Sequence, residues 1–306
     1  MTEFQLYKKR NFSDFINDSI QFFKIYGKDY FRNFATISGI LLLLMSGLYY
    51  FTFKDIFANV GNPSAINNWF LTDGNIMLFT ILIITTIIVL IALSILSVGQ
   101  PIVYMKLIEK TGRTEFTSSE LVSKILDQAG RMLLFGFITL FLFTPLIVIF
   151  MVIALALSFL IIGIPVLILG IPAIMVWHMQ SLIVYLNEDA GYFEALGKGW
   201  KILFSNFWHI VGSTIVIYIF VNIIQSAISM IPYFSMMSSI ITSGGQVDTF
   251  QMPPYMILIY VLSMILGTIL FNVFYIQQNL VYYSAQESTE HMQAFSEIDN
   301  IGKNEA

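Results

Sequence analysis

The sequence contains no cysteine and few charged residues. The absence of cysteine from all 306 residues excludes disulfide bonds, thiolate metal ligands and thiol catalysis. Charged residues make up 11% of the chain and hydrophobic residues 57%, whereas about 25% of the residues in an ordinary soluble domain are charged. Because a soluble protein of this length needs more charged surface, the composition predicts an integral membrane protein. The formal net charge of −4 does not favour a nucleic-acid partner.

Long uncharged stretches predict where the chain crosses the membrane. A spanning helix needs about 20 mostly apolar residues, because each residue rises about 1.5 Å and the hydrocarbon layer is about 30 Å thick. The stretch between Arg131 and Glu188 is 56 residues long, so it must turn once, and Gly163 and Pro165 favour a turn at residues 158–165. The predicted fold class is an all-α integral membrane protein with six transmembrane helices. The six spans lie near residues 34–53, 76–104, 132–157, 163–186, 207–231 and 255–283.

The distribution of lysine and arginine predicts how the spans are oriented. Segments 1–33, 105–131, 187–206 and the tail contain 14 of the 15 Lys and Arg residues, and the alternate loops contain only Lys54. Cationic segments stay in the cytoplasm, so we expect both termini on the cytoplasmic side of the cytoplasmic (inner) membrane. No cleaved signal peptide is expected, because 33 polar, charged and aromatic residues precede the first apolar run. The predicted organisation is a cytoplasmic N-terminal segment at 1–33, a membrane domain at 34–284 and an acidic cytoplasmic tail at 285–306.

Three of the predicted cytoplasmic segments have the pattern of an amphipathic helix. Apolar and charged residues alternate at helical spacing over 12–24, before the first span, and over 192–201, before the fifth. Before the third span, Thr117 and Glu120 form a capping-box pattern that opens a short helix. Each segment is expected to lie in the headgroup layer. The side chains expected to contact the leaflet are Lys24, Lys28, Lys124, Lys198, Lys201 and Trp200.

The first and third of these segments also match each other. When residues 23–31 are aligned with residues 200–208, Lys24 coincides with Lys201 and aromatic residues meet at three places. This match predicts three units, each consisting of an interfacial amphipathic helix followed by a transmembrane hairpin. The alternative is that every segment approaching a membrane is aromatic and basic.

Five polar side chains inside the predicted spans are candidates for function. They are His178, Gln180, Asn222, Gln225 and Asn272. One interpretation is a polar path for a substrate, because an ionisable group inside a span is a functional candidate. We prefer the other interpretation, in which these side chains form hydrogen bonds between neighbouring helices. The reason is that no Asp or Glu lies inside any predicted span.

A repeated tripeptide predicts a break in the fourth span. Gly163-Ile-Pro165 recurs seven residues later as Gly170-Ile-Pro172, so the fourth span is expected to start broken or kinked. Discontinuous helices form binding sites in many transporters, because their freed backbone groups can hold a substrate. The simpler interpretation, which we prefer, is a tight hairpin.

Residue patterns for common catalytic chemistries are missing. The three histidines, His178, His209 and His291, are scattered along the chain, whereas an iron-dependent membrane oxygenase needs several imidazoles that converge on the metal. The sequence also lacks a phosphate-binding glycine loop, a Gly-x-Ser-x-Gly elbow and a His-Glu-x-x-His motif. We therefore expect no enzymatic activity, no metal and no cofactor.

The run from Glu188 to Lys201 resembles a family of uncharacterised bacterial six-span proteins. Members of that family are similar to the membrane domain attached to some glycerophosphoryl diester phosphodiesterases. Residues 279–284 and 298–302 are similar to its Bacteroidetes branch, whose members often carry a beta-carotene monooxygenase label. The resemblance covers most of the chain and implies a membrane module. The resemblance does not imply phosphodiesterase activity, because such a phosphodiesterase uses a soluble barrel domain. It does not imply carotenoid oxygenase activity either, because such an oxygenase needs four iron-binding histidines.

These exclusions leave two expected functions. The first is a non-enzymatic membrane protein that binds membrane lipids or a protein partner, including a second copy of itself. In this case the interfacial helices would hold the inner leaflet through aromatic burial and lysine–phosphate contacts. The alternative is a transporter for a small solute or a lipid, with a polar path between the fourth, fifth and sixth spans.

Overall fold

The computed structural model describes residues 4–58, 62–159, 161–242 and 254–290, and the secondary structure of these residues is entirely helical. A π-helical turn, Thr139–Phe143, joins the fourth helix to the fifth. The helices are α1 (Phe12–Ala58), α2 (Pro63–Phe70), α3 (Asp73–Thr111), α4 (Ser118–Ile138), α5 (Thr144–Ser158), α6 (Gly163–Asn187), α7 (Tyr192–Ser205), α8 (Phe207–Thr242) and α9 (Pro254–Glu290).

Six helical segments are long and apolar enough to cross a membrane. Their mean hydropathy over 18 residues ranges from 1.8 to 3.1, and their outward side chains are large and apolar, as lipid contact requires. The predicted number of spans is confirmed. The segments are Phe12–Ile56, Gly74–Thr111, Ser118–Ser158, Gly163–Asn187, Phe207–Ser235 and Tyr255–Thr289.

The segment before the first span differs from the prediction, because it is not a separate interfacial helix. α1 runs without interruption from Phe12 to Ala58. Its aromatic side chains Phe15, Phe22 and Tyr30 are at most 1% exposed, so its apolar face packs against protein instead of lipid. The charged residues of this segment lower its hydropathy without interrupting its helix, since straight-chain charged residues are good helix formers.

The segment before the third span differs in the same way. Thr117 caps α4 as the capping-box pattern predicts, because its Oγ1 accepts a hydrogen bond from the amide of Glu120 at 3.2 Å. However, Leu121 and Ile125 are fully buried, and the helix continues through the π-helical turn into α5. Of the three predicted interfacial helices, only α7 is a separate helix.

The hairpin between α5 and α6 turns where the sequence predicts. A Cβ atom on Gly163 would lie 2.1 Å from the main-chain oxygen of Ala154, so only glycine allows the two helices to approach this closely. Pro165 falls in the first turn of α6, where a missing N–H costs nothing. α6 is continuous through Gly170 and Pro172, so the helix is not broken at the second Gly-Ile-Pro.

A buried carboxylate connects α1 to the segment between α3 and α4. Asp29 Oδ2 accepts hydrogen bonds from Tyr104 Oη at 3.0 Å, from Asn33 Nδ2 at 3.1 Å and from the amide of Phe116 at 3.2 Å. Asp29 Oδ1 accepts a hydrogen bond from Arg32. Because Asp29 is only 6% exposed, these donors replace the water that the carboxylate loses on burial.

The chain divides into two compact units. The first contains the described residues of Met1–Asn33, Val98–Tyr218 and Val273–Ala306, and the second contains those of Phe34–Ser97 and Ile219–Asn272. The second unit has a small core in which Met256 and Ile257 pack against Tyr50 and Tyr260. The first unit has a core of Phe15, Val176, Leu203, Ile210, Val211 and Val281.

Candidate functional site

A buried polar network joins α6, α8 and α9 in the first unit. Gln180 Nε2 donates to Gln278 Oε1 at 3.0 Å, and Gln278 Nε2 donates to Thr214 Oγ1 at 3.1 Å. Gln277 Nε2 completes the network by donating to Ser213 Oγ at 3.0 Å. All five residues are 0% exposed, so Gln180 hydrogen-bonds a neighbouring helix. The sequence could not single out Ser213 and Thr214, because hydroxyl side chains are frequent throughout the spans.

His178 does not belong to this network. Its ring lies 5.5 Å from the ring of Phe135 and 5.7 Å from that of Phe143, measured between centroids. Side chains two residues apart on a helix point in different directions, so His178 faces away from Gln180. Among the described residues, His178 has aromatic neighbours and no hydrogen-bond partner.

The other three polar candidates lie in the second unit. The side chain of Gln225 covers Gly267, where a Cβ atom would lie 2.7 Å from Gln225 Cδ. Asn272 is buried and its Nδ2 donates to the main-chain oxygens of Thr268 and Ile269 on its own helix, both at 3.0 Å. Asn222 is half-buried on α8. Of the five predicted residues, His178 and Gln180 therefore belong to the first compact unit, and Asn222, Gln225 and Asn272 belong to the second.

Helix α7 presents two different faces. Tyr192, Ala195 and Leu203 lie on the buried face, at the spacing that places residues on one side of a helix. On the other face, Phe193 is 73% exposed, Trp200 48% and Phe204 51%. A short helix between two spanning helices therefore exposes a row of large aromatic side chains.

The buried face of α7 approaches α6 closely. A Cβ atom on Gly199 would lie 2.4 Å from Ser181 Oγ and 2.8 Å from its amide nitrogen. Trp177 Nε1 on α6 donates to the main-chain oxygen of Leu196 at 2.9 Å, and the Trp177 and Trp200 rings meet edge to face at 5.0 Å. These contacts fix the position of the exposed aromatic face relative to α6.

An apolar groove of about 280 Å³ lies between α5, α6 and α7. Because Trp177 Nε1 already donates to Leu196, its indole N–H is not free for a ligand. The groove is an open, apolar surface that suits a hydrocarbon chain. Its lining includes Leu146, Phe150, Ala173, Trp177, Trp200 and Phe204.

The lysines predicted to contact the leaflet differ in their surroundings. Lys24, Lys28 and Lys201 are exposed, and Lys124 forms an exposed ion pair with Asp127 at 3.6 Å. Lys198, by contrast, forms ion pairs with Glu188 and Glu194. A lysine held in this way is less available to a lipid phosphate than the exposed Lys201.

Lys198 attaches α7 to the end of α6. Its Nζ donates to Glu188 at 2.8 Å and lies 3.1 Å from Glu194. These hydrogen bonds raise the pKa of Lys198 above its ordinary value, and the same contact lowers the pKa of Glu194. Glu188 also accepts a hydrogen bond from Tyr282 Oη at 3.1 Å, which adds α9 to the cluster.

No metal centre is present in the described part of the chain, where no three His, Asp or Glu side chains are grouped so as to hold an ion. The third histidine, His291, and the tail residues 298–302 lie outside the described ranges. No protein-family model matches the chain, and neither the curated proteins nor the solved structures include a match to it.

Proposed function

We propose that the protein is a non-enzymatic, multi-pass protein of the cytoplasmic membrane that binds lipids of the cytoplasmic leaflet. The observation that carries the proposal is the exposed aromatic face of α7, formed by Phe193, Trp200 and Phe204, beside the apolar groove. The proposal places both termini in the cytoplasm, because the N-terminal segment, the tail and two alternate loops hold 14 of the 15 Lys and Arg residues and cationic segments stay in the cytoplasm.

The position and chemistry of α7 fit an interfacial helix. Tryptophan is enriched where a membrane meets water, because its ring is apolar and its N–H is polar. Trp208, the second residue of α8, is 69% exposed and adds a further aromatic side chain next to α7. Lys201 is exposed on the same helix, and a lysine at this depth attracts anionic headgroups by about 1 kcal/mol.

The apolar groove supports a lipid ligand but does not select one. An acyl chain that moves from the bilayer into the groove gains little free energy, because lipid tails are as apolar as leucine. Selectivity between lipids therefore has to come from contacts with the headgroup. The groove fixes where the chain of a bound lipid lies.

Transport has no comparable support. The buried glutamines of the first unit bond one another and the hydroxyls of α8, which makes them part of helix packing. The resemblance to bacterial six-span proteins remains a hypothesis and supports the cytoplasmic membrane as the location.

Fluorescence quenching by lipids tests the proposal. The protein is reconstituted into vesicles of phosphatidylcholine brominated on its acyl chains, and Trp200→Phe is compared with Trp69→Phe as the matched control. Trp200→Phe is expected to remove a lipid-quenched component that Trp69→Phe retains. If iodide in the water quenches the Trp200 component and brominated lipid does not, α7 does not lie in the leaflet and the proposal is wrong.

A further inference from the structure

A polar pocket of about 350 Å³ lies in the first unit, between the residues that precede α1, the junction of α7 and α8, and the end of α9. Its floor is apolar, since Phe15, Ile210 and Val281 are at most 2% exposed. We call it the junction pocket. The polar side chains of its lining are Lys9, Arg10, Asn11, Asp14, Ser205, Asn206, His209, Ser284 and Ser288.

Of the three charged side chains that line the junction pocket, Lys9, Arg10 and Asp14, one has no charged partner within the described ranges. The carboxylate of Asp14 is engaged by Lys8 Nζ at 3.3 Å and by the amide of Asn11 at 3.1 Å. The guanidinium of Arg10 is engaged by Asp18 at 2.9 Å and by the main-chain oxygens of Gln5 and Leu6. Lys9 is exposed and forms no ion pair within the described ranges, so the pocket favours an anion.

Two further groups in the junction pocket have unused hydrogen-bonding capacity. Ser284 Oγ accepts a hydrogen bond from the amide of Arg10 at 3.0 Å, and its O–H has no acceptor among the described residues although Ser284 is only 6% exposed. His209 Nδ1 lies 2.6 Å from Asn206 Oδ1, which orients the ring and leaves the Nε2 edge open. A buried hydroxyl without an acceptor is costly, and a ligand oxygen would satisfy it.

The surroundings of the pocket suggest the source of the anion. Phe204 and Phe207 stack with centroids 5.3 Å apart, and Trp208 packs on Phe207 at 5.3 Å. These rings lie on the α7–α8 turn that also contributes Ser205, Asn206 and His209 to the pocket. If α7 lies in the leaflet, as the proposed function states, the pocket is at the depth of the lipid headgroups.

From this geometry we infer that the junction pocket binds a phosphate group, supplied by the headgroup of a phospholipid. Phosphate oxygens accept charge-assisted hydrogen bonds from an ammonium group and neutral ones from a hydroxyl, which matches Lys9 and Ser284. The apolar floor accommodates the glycerol carbons next to the phosphate. The lipid source rests on the proposed function, whereas the phosphate chemistry rests on the pocket alone.

Ligand-dependent unfolding of the full chain in detergent tests the inference. A ligand that binds the native state raises its unfolding temperature by mass action, so dioleoylphosphatidic acid, dioleoylglycerol and inorganic phosphate are compared as probes. Dioleoylphosphatidic acid is expected to stabilise the protein and dioleoylglycerol is not. Lys9→Gln should weaken the apparent affinity for phosphatidic acid roughly tenfold. Lys110→Gln, an exposed lysine outside the pocket, is the matched control.

A second variant separates pocket filling from loss of charge. Ser288 is exposed at the rim and its Oγ bonds only the main-chain oxygen of Ser284 on its own helix, so Ser288→Phe should fill the pocket without unfolding the chain. It is expected to weaken phosphatidic acid binding as Lys9→Gln does.

The outcomes distinguish the inference from the proposed function. Equal affinity in wild type and in all pocket variants would overturn the junction pocket while leaving lipid binding in place. Equal stabilisation by dioleoylglycerol would also overturn it, because the phosphate would not be recognised. Stabilisation by inorganic phosphate that depends on Lys9, without any lipid effect, would support the phosphate site and reject the lipid source. No response to any probe would overturn both.

Discussion

At the scale of single residues, Asp29 shows how the N-terminal part of α1 is held to the segment between α3 and α4. The carboxylate accepts hydrogen bonds from Tyr104, 75 residues away, and from the amide of Phe116, 87 residues away. The sequence places Asp29 in a charged N-terminal segment and indicates nothing about these partners. Tertiary hydrogen bonds of this kind have no periodicity, so sequence patterns do not predict them.

Asp29→Ala is expected to destabilise the protein by about 3 kcal/mol, because the substitution leaves buried donors without an acceptor. The matched control is Asp127→Ala, which removes an exposed carboxylate paired with Lys124 and should cost less than about 0.5 kcal/mol. Unfolding of the purified protein in detergent measures both. Equal effects of the two substitutions would contradict the role assigned to Asp29.

At the scale of helices, α7 is the element on which the proposed function depends. The sequence predicts α7 as an amphipathic helix, and the structure places a separate helix there. The same pattern in the first segment leads to a wrong prediction, because the aromatic face of α1 packs on Tyr104 instead of lipid. Amphipathicity indicates that one face is covered, but it does not distinguish protein from membrane.

Two glycines of α7 offer a matched pair of substitutions. Gly199→Ala would place a Cβ atom 2.8 Å from the backbone nitrogen of Ser181, whereas Gly197→Ala meets nothing within 4 Å. Gly199→Ala should therefore move α7 away from α6 and destabilise the protein by roughly 1–3 kcal/mol. Gly197→Ala should stabilise it by up to about 1 kcal/mol. Thermal unfolding gives both values, and a stable Gly199→Ala variant would show that the close approach is unnecessary.

The ion pairs of Lys198 predict a pH dependence of the α6–α7 attachment. The folded pKa of Lys198 lies above its ordinary value of 10.5 because of its hydrogen bonds to Glu188 and Glu194. A lysine whose pKa is higher in the folded state stabilises that state fully at pH values below its unfolded pKa. This stabilisation is lost as the pH rises through the folded pKa. The difference in unfolding temperature between wild type and Lys198→Met should be constant from about pH 7 to about pH 9 and shrink above about pH 10.5. A difference that stays unchanged at higher pH would contradict this contribution.

At the scale of the whole molecule, hydropathy predicts the six spans well. α6 at Gly163–Asn187 lies within a residue of the predicted range at each end, because the apolar run itself ends there. α1 and α9 extend beyond the predicted spans, since a helix does not have to end where the hydrocarbon does. The junction pocket could not be predicted, because it is lined by three segments that are distant in the sequence. The groove is lined by three consecutive helices, but the sequence does not show how closely they pack.

The orientation of the spans can be tested with single cysteines, because the natural chain has none. Thr72→Cys lies in an exposed loop of the side proposed to face outward, and Glu115→Cys lies in an exposed segment proposed to face the cytoplasm. A membrane-impermeant maleimide is expected to label Thr72→Cys in intact cells and Glu115→Cys only after permeabilisation. The reverse labelling would contradict the orientation and place α7 in the other leaflet.

Native mass spectrometry of the full chain, purified gently from its own membrane and combined with lipidomics, tests the lipid-binding account most directly. If the protein binds lipids through α7, a phospholipid should co-purify reproducibly and should be depleted when Trp200 and Phe204 are both changed to alanine. A protein without any enriched lipid would contradict the account. A stoichiometric polar solute whose retention depends on His178 or Asn272 would contradict it as well and would favour transport.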